Sequence, residues 1–161
     1  MQRPERKPNR LKTFDYSTPG AYFITICTNN KVKLLWKNVG ASIARPEDVI
    51  LSAEGKIVDN AILNIPKCYP AISVDCYTIM PNHIHLLLRV HATTDGQAMK
   101  VPTISVVIQQ MKGYVTKQLG SSIWQKLFHD HVIRGERDYR KIWEYIEGNP
   151  TKWAEDCFYI E

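Results

Sequence analysis

Between Thr78 and Val90 the chain reads Thr-Ile-Met-Pro-Asn-His-Ile-His-Leu-Leu-Leu-Arg-Val. Pro81-Asn82 is a turn signal, and the apolar run after it has the length and makeup of a strand. Alternate side chains of a strand project to opposite faces. Ile84, Leu86, Leu88 and Val90 therefore form one apolar row, and His83 and His85 stand together on the other side. The apolar row needs a cover, and residues 71–80, just before the turn, supply the other arm of a hairpin. Two imidazoles held side by side on a rigid strand form a partial metal site that lacks a third ligand. The same spacing also suits a pair that caps a sheet edge or faces solvent.

Around this hairpin the pattern predicts one domain over residues 1–161, with 1–12 as a basic arm. Residues 21–28 alternate as a first strand. Lys31–Trp36 reads as its return, with Asn29-Asn30 as the turn. Residues 37–50, with Gly40 and Pro46, read as loop. Ser52 is placed to cap a helix that runs to about Ile65, where Pro66 stops it. After a polar loop over 91–102, Thr103 caps a second helix that ends near Leu119 at Gly120. Its apolar stripe is Ile104, Val107, Ile108, Met111, Val115 and Leu119. Residues 122–134 are extended or loop, and a last helix follows. Strand, helix, hairpin, helix and strand in that order predict a ferredoxin-like α+β sandwich, an antiparallel sheet with helices. With helices on one face, the histidine face would stay open to a substrate, with the last helix carrying Tyr145 close by.

In the last helix Tyr139, Ile142, Trp143 and Ile146 fall at i, i+3, i+4 and i+7, one buried stripe. Tyr145 lies off the centre of that stripe. Asn149 is one turn further along the same flank, and Pro150 disfavours helix at Asn149. A phenol and an amide oxygen are thus offered together. A boundary tyrosine with a helix-ending Asn-Pro has the same spacing. Tyr114 with Gln118 repeats it on the second helix, where Tyr114 adjoins the core stripe. His129-Asp130-His131 is a second His-x-His, but a charged residue stands between its histidines, which favours a structural or phosphate-contact role.

Charge points to a partner more than to a fold. The chain carries a formal +5. Arg3, Arg6, Lys7, Arg10 and Lys12 against Glu5 give the first twelve residues +4 of it. Such an arm suits phosphate backbones and equally suits a solvated terminus. Arg89, on the histidine face, and Lys112 and Lys117, on the polar side of the second helix, are further candidate phosphate contacts. Trp124 and Trp143 are candidates to stack a base, although Trp143 fits the core stripe. No apolar run resembles a signal peptide or a membrane span. Cys27, Cys68, Cys76 and Cys157 form no CxxC pair and read as reduced thiols of a cytoplasmic protein.

Met-Pro-Asn-His-Ile-His, followed late in the chain by Tyr-Ile-x-x-Asn-Pro, resembles the single-tyrosine HUH transposases, and among them the REP-associated tyrosine transposases. The stretch Asp15–Thr28 is similar to the N-terminal strand of that branch and its lead-in, and His131-Val-Ile-Arg134 to the stretch before its last helix. The resemblance spans roughly residues 11–155. It implies an HUH endonuclease fold and single-stranded, hairpin-forming DNA as partner, with no membrane. It also implies Tyr145 as nucleophile, a 5′-phosphotyrosine link and a free 3′-OH. Relatives of this kind act as monomers or homodimers.

The chemistry suits these residue types. His83, His85 and Asn149 are neutral ligands, so a Mg²⁺ or Mn²⁺ ion would keep its full charge and open positions for phosphate oxygens. A phenol with a pKa near ~10 is a weak nucleophile unless activated, and no general base is evident. Three functions fit: a strand-transferring DNA endonuclease, a hairpin-binding module that no longer cuts, and an unrelated hydrolase that uses the two histidines.

Overall fold

The computed structural model of the chain describes residues 14–40, 43–93 and 101–158. Four strands form one antiparallel sheet: β1 (Gly20–Cys27), β2 (Ile72–Ile79), β3 (His83–Val90) and β4 (His129–Val132), in the order β2-β3-β1-β4. This is the ferredoxin-like α+β arrangement that the element order predicted. The helices are α1 (Ala53–Leu63), the short α2 (Ile65–Cys68), α3 (Ile104–Leu119) and α4 (Glu136–Gly148).

The period-2 reading of β3 holds. Ile84, Leu86, Leu88 and Val90 join Tyr22, Ile24 and Ile26 of β1 in the main core, under α1 and α3. The helix ends also follow the caps. The Ser52 hydroxyl accepts from the Gly55 N–H at 3.0 Å, and the Thr103 hydroxyl from the Val106 N–H at 3.4 Å. Gly120 closes α3 in the left-handed region at φ 77°, which suits glycine. Gly55 lets α1 press onto the segment before it: a Cβ there would lie 2.1 Å from the Leu35 carbonyl oxygen.

Three expectations are corrected. Lys31–Trp36 is not a strand. Both edges of β1 are taken, one by β3 and the other by β4, so no ladder is free for a return. That segment instead ties the loops together: the Trp36 indole donates to the Ile79 carbonyl at 2.6 Å, and the Leu35 N–H to the Pro81 carbonyl at 3.0 Å. Pro66 does not end the helical path. After a break at Asn64 it sits in the first turn of α2, where a missing N–H costs nothing.

The histidine face, finally, is not open. α1 and α3 cover one side of the sheet, but α4 lies across the other, with Ile146, Tyr139, Ile142 and Trp143 on Ala21, Phe23, Cys76 and Leu87. The stripe of α4 was legible. Its place close to the histidine face was expected too, but not that it would cover that face, because the stripe says only that a cover is needed. No described helix is long and apolar enough to cross a membrane. All four cysteines are free thiols.

Candidate metal and nucleophile site

His83 and His85 sit on an inner strand, paired on one side with β2 and on the other with β1. Their side chains are 0% and 1% exposed. The two Nε2 atoms face each other at 3.1 Å. Burial pushes the His83 pKa down to about 2, with neighbouring His85 and Lys31 adding to the effect. Burial alone takes His85 to about 3. Both rings are therefore neutral near pH 7, the form that ligates metals.

The partners of the other ring nitrogens set the tautomers. His83 Nδ1 is 2.8 Å from the Asn82 side-chain oxygen. The Asn82 amide nitrogen donates to the Phe158 carbonyl at 2.9 Å, so its oxygen is the end left to accept. His83 thus carries its proton on Nδ1 and turns a lone pair inward from Nε2. His85 Nδ1 is 2.8 Å from the Thr25 hydroxyl, a group that either donates or accepts. When Thr25 accepts, both Nε2 lone pairs point into the same gap, an arrangement that favours a cation between them. When it donates, His85 hydrogen-bonds His83 instead.

An oxygen completes the set. Asp156, in the segment after α4, brings a carboxylate oxygen to 3.7 Å from His83 Nε2. That oxygen is buried without a hydrogen-bond partner. One atom each of His83, His85 and Asp156 lie within 4.8 Å of one another. Two inward imidazoles and an orphaned carboxylate oxygen fit a divalent ion. No periodic pattern singled out Asp156, which follows Glu155 in an irregular segment.

Tyr145 projects from α4 onto this cluster. Its hydroxyl is 3.4 Å from His85 Nε2, and its ring lies against His85 and edge-on to Phe23. Burial raises the phenol pKa and Asp156 adds to the rise, while the Asn149 side chain acts against both. Asn149 itself is buried at the end of α4, and its amide nitrogen has no hydrogen-bond partner. The chain then runs through a 3-10 stretch, Pro150–Glu155, that seats Trp153 near His83. Phe158 stacks on His83 with ring centroids 4.5 Å apart, and Lys31 lies over Phe158. This segment closes the site.

The other candidates are spread more widely. Arg89 pairs with Asp75 at 2.8 Å, on the site's face of the sheet. Lys112 donates to the Gln125 and Lys126 carbonyls, which ties α3 to the loop before β4. Lys117 is exposed on α3, behind the sheet. Tyr114 is also on α3, away from the histidines. Arg3, Arg6, Lys7, Arg10 and Lys12 lie outside the described residues. His129 and His131 are exposed on β4, and His129 stands across from Thr25. Trp124 is buried and bridges Thr28, and Trp143 packs from α4 onto the sheet, partly buried.

No family model matches the chain. It is 31% identical to an uncharacterized protein of Haemophilus influenzae, over 97% of this chain and 94% of the relative. A putative REP-associated tyrosine transposase of the same organism is 29% identical over 46% of this chain and 47% of its own length. A REP-associated tyrosine transposase of Escherichia coli is 25% identical over 64% of this chain and 58% of its own length. The solved structure of a REP-associated tyrosine transposase bound to a REP hairpin superposes with a TM-score of 0.64, over 90% of this chain and 74% of that one, at 22% identity. The fold is thus a transposase fold. In sequence the chain is similar to REP-associated tyrosine transposases, and it shares the fold of one of them.

Proposed function

We propose that the protein nicks and rejoins single-stranded, hairpin-forming DNA, with Tyr145 as the attacking group. The observation that carries this is the 3.4 Å approach of the Tyr145 hydroxyl to a pair of inward-facing neutral imidazoles. The phenol oxygen would form a bond to phosphorus as the bond to the 3′ oxygen breaks. The DNA then keeps a 5′-phosphotyrosine link and leaves with a 3′-OH. The phenol proton is matched by the one the 3′ oxygen takes up. Rejoining reverses the step without a nucleotide cofactor. His85, with a pKa of about 3, is too weak a base to take that proton unaided.

Residues His83 and His85 would hold Mg²⁺ or Mn²⁺, with Asn149 or Asp156 as the oxygen ligand. The bound cation would offset charge on the phosphate and favour the phenolate. The choice of third ligand matters: an amide leaves the full divalent charge, and a carboxylate halves it. Because α4 brings Tyr145 to the histidines of its own chain, one copy suffices for the site, and a homodimer is not required. The hairpin bound by the structural relative and the basic arm Arg3, Arg6, Lys7, Arg10 and Lys12, with Arg89 and Lys117, support DNA as the partner.

Protein mixed with a single-stranded hairpin panel and Mn²⁺ or Mg²⁺ should give a covalent adduct on a denaturing gel, and Tyr145→Phe should abolish it. An undiminished adduct in that variant would remove Tyr145 from the role. The complete burial of His83 favours one other reading, a hairpin-binding module that does not cut. It would bind hairpins in a salt-dependent way and leave no adduct. A hydrolase unrelated to transposition would turn over in Tyr145→Phe.

A further inference from the structure

We propose that Asp75 is the positioning residue of the Tyr145 helix: it locks α4 onto the sheet and so sets where the phenol stands. The proposal rests on the reading of Tyr145 as nucleophile. Strand β2 pairs with β3 in register through Val74 and Leu88, then resumes at Cys76 and Leu87, which leaves Asp75 as an extra residue. The bulge puts Asp75 and Cys76 in succession toward α4, where a regular strand would present one of them. Bulges re-aim side chains in this way and are enriched beside active sites.

The re-aimed carboxylate collects three donors. Arg89 donates to it at 2.8 Å, the Tyr139 hydroxyl at 2.8 Å and the Ser73 hydroxyl at 2.7 Å. The Arg89 guanidinium also lies 4.9 Å over the Tyr139 ring. Burial alone would raise the Asp75 pKa, but the hydrogen bonds from Ser73, Tyr139 and Arg89 outweigh it and hold it below the usual carboxylate range. Strand, neighbouring strand and helix thus meet at one charge. Tyr139 is six residues before Tyr145, about 9 Å along the helix at the standard rise. A small tilt at the Tyr139 anchor therefore displaces the phenol relative to His85. Displacements near 1 Å are enough to cost about 100-fold in an oriented reaction. α4 has no side-chain cap at its N-terminus, so its first turns rest on this anchor, on the contacts of Asp138 with His131 and the Arg134 N–H, and on the apolar stripe.

The test compares wild type with Asp75→Asn and Tyr139→Phe, both close in shape to the original. Hairpin affinity and the single-turnover rate of adduct formation at saturating hairpin and Mn²⁺ are measured separately. The rate should fall about 10- to 100-fold in each variant, the double variant should be no slower than the slower single, and hairpin binding should not weaken. Amide exchange across residues 139–148 should quicken in both variants. Unchanged rates, or a rate loss matched by lost affinity, would overturn the proposal. If wild type itself forms no adduct, the nucleophile reading fails, and exchange alone judges the anchor: faster exchange in α4 supports it and unchanged exchange overturns it.

Discussion

The Tyr145 hydroxyl stands 3.4 Å from Nε2 of His85, although sixty residues separate the two in the chain. The contact joins the last helix to an inner strand of the sheet, and it brings a weak acid beside a ring that burial keeps neutral. A cation entering between His83 and His85 would meet the phenol at the same point.

Removing either imidazole should therefore abolish metal binding. Mn²⁺ titration calorimetry of His83→Ala and His85→Ala should show no binding at concentrations that saturate wild type. Thr25→Val, which leaves His85 Nδ1 without its partner, should weaken binding about 10-fold or more. Asn149→Ala and Asp156→Asn, measured side by side, identify the oxygen ligand as the one whose loss lowers affinity.

Acid should destabilise the metal-free protein through the same rings. Their folded pKa values, about 2 and about 3, lie below the unfolded value of 6.5. The unfolded chain thus binds more protons between roughly pH 3 and 6.5, and stability is full above that window and falls through it. Each ring contributes a slope of at most about 1.4 kcal/mol per pH unit. Thermal melts from pH 7 to pH 4 should show the decline, and His83→Gln/His85→Gln should flatten it.

Phe158 shields His83 from solvent by stacking on it. Phe158→Ala should speed modification of His83 by diethyl pyrocarbonate, read by peptide mass spectrometry. Exposed His129 provides the internal reference and should react at the same rate in both proteins. Equal rates at His83 would show that the stack is not what protects it.

Gly55→Ala should cost several kcal/mol, because its methyl would meet the Leu35 carbonyl at 2.1 Å and backbone cannot easily yield. Chemical denaturation should show a lowered midpoint with the slope unchanged. A loss below about 0.5 kcal/mol, the range of a neutral surface change, would mean that α1 shifts freely.

Much of this molecule was legible because its elements are locally consistent. α3 runs between the caps Thr103 and Gly120, and β3 alternates without a break. Helical spacing put Tyr145 and Asn149 on one flank, as it did Tyr114 and Gln118, and only the resemblance chose between the two pairs. What escaped was set by tertiary choice. Lys31–Trp36 has strand-like residues but no free edge to pair with. α4 was expected close to the histidine face but not as the cover that buries it, which the order of elements does not dictate. Asp156 has no periodic context. The bulge, however, left a trace: the inward apolar residues Ile72 and Val74 give way to Tyr77 and Ile79, a shift of phase by one residue at Asp75-Cys76.

Strands β1 and β3 are the two interior members of the sheet, each held along both edges. Slipping either by one residue would turn its whole apolar row out of the core. The imidazole couple is therefore written into the part of the molecule that opens last, and the phenol into a helix laid on afterwards. As denaturant rises, the two imidazoles should keep their spacing after α4 has come away, while the phenol and the oxygen donors carried at and beyond its end depart together.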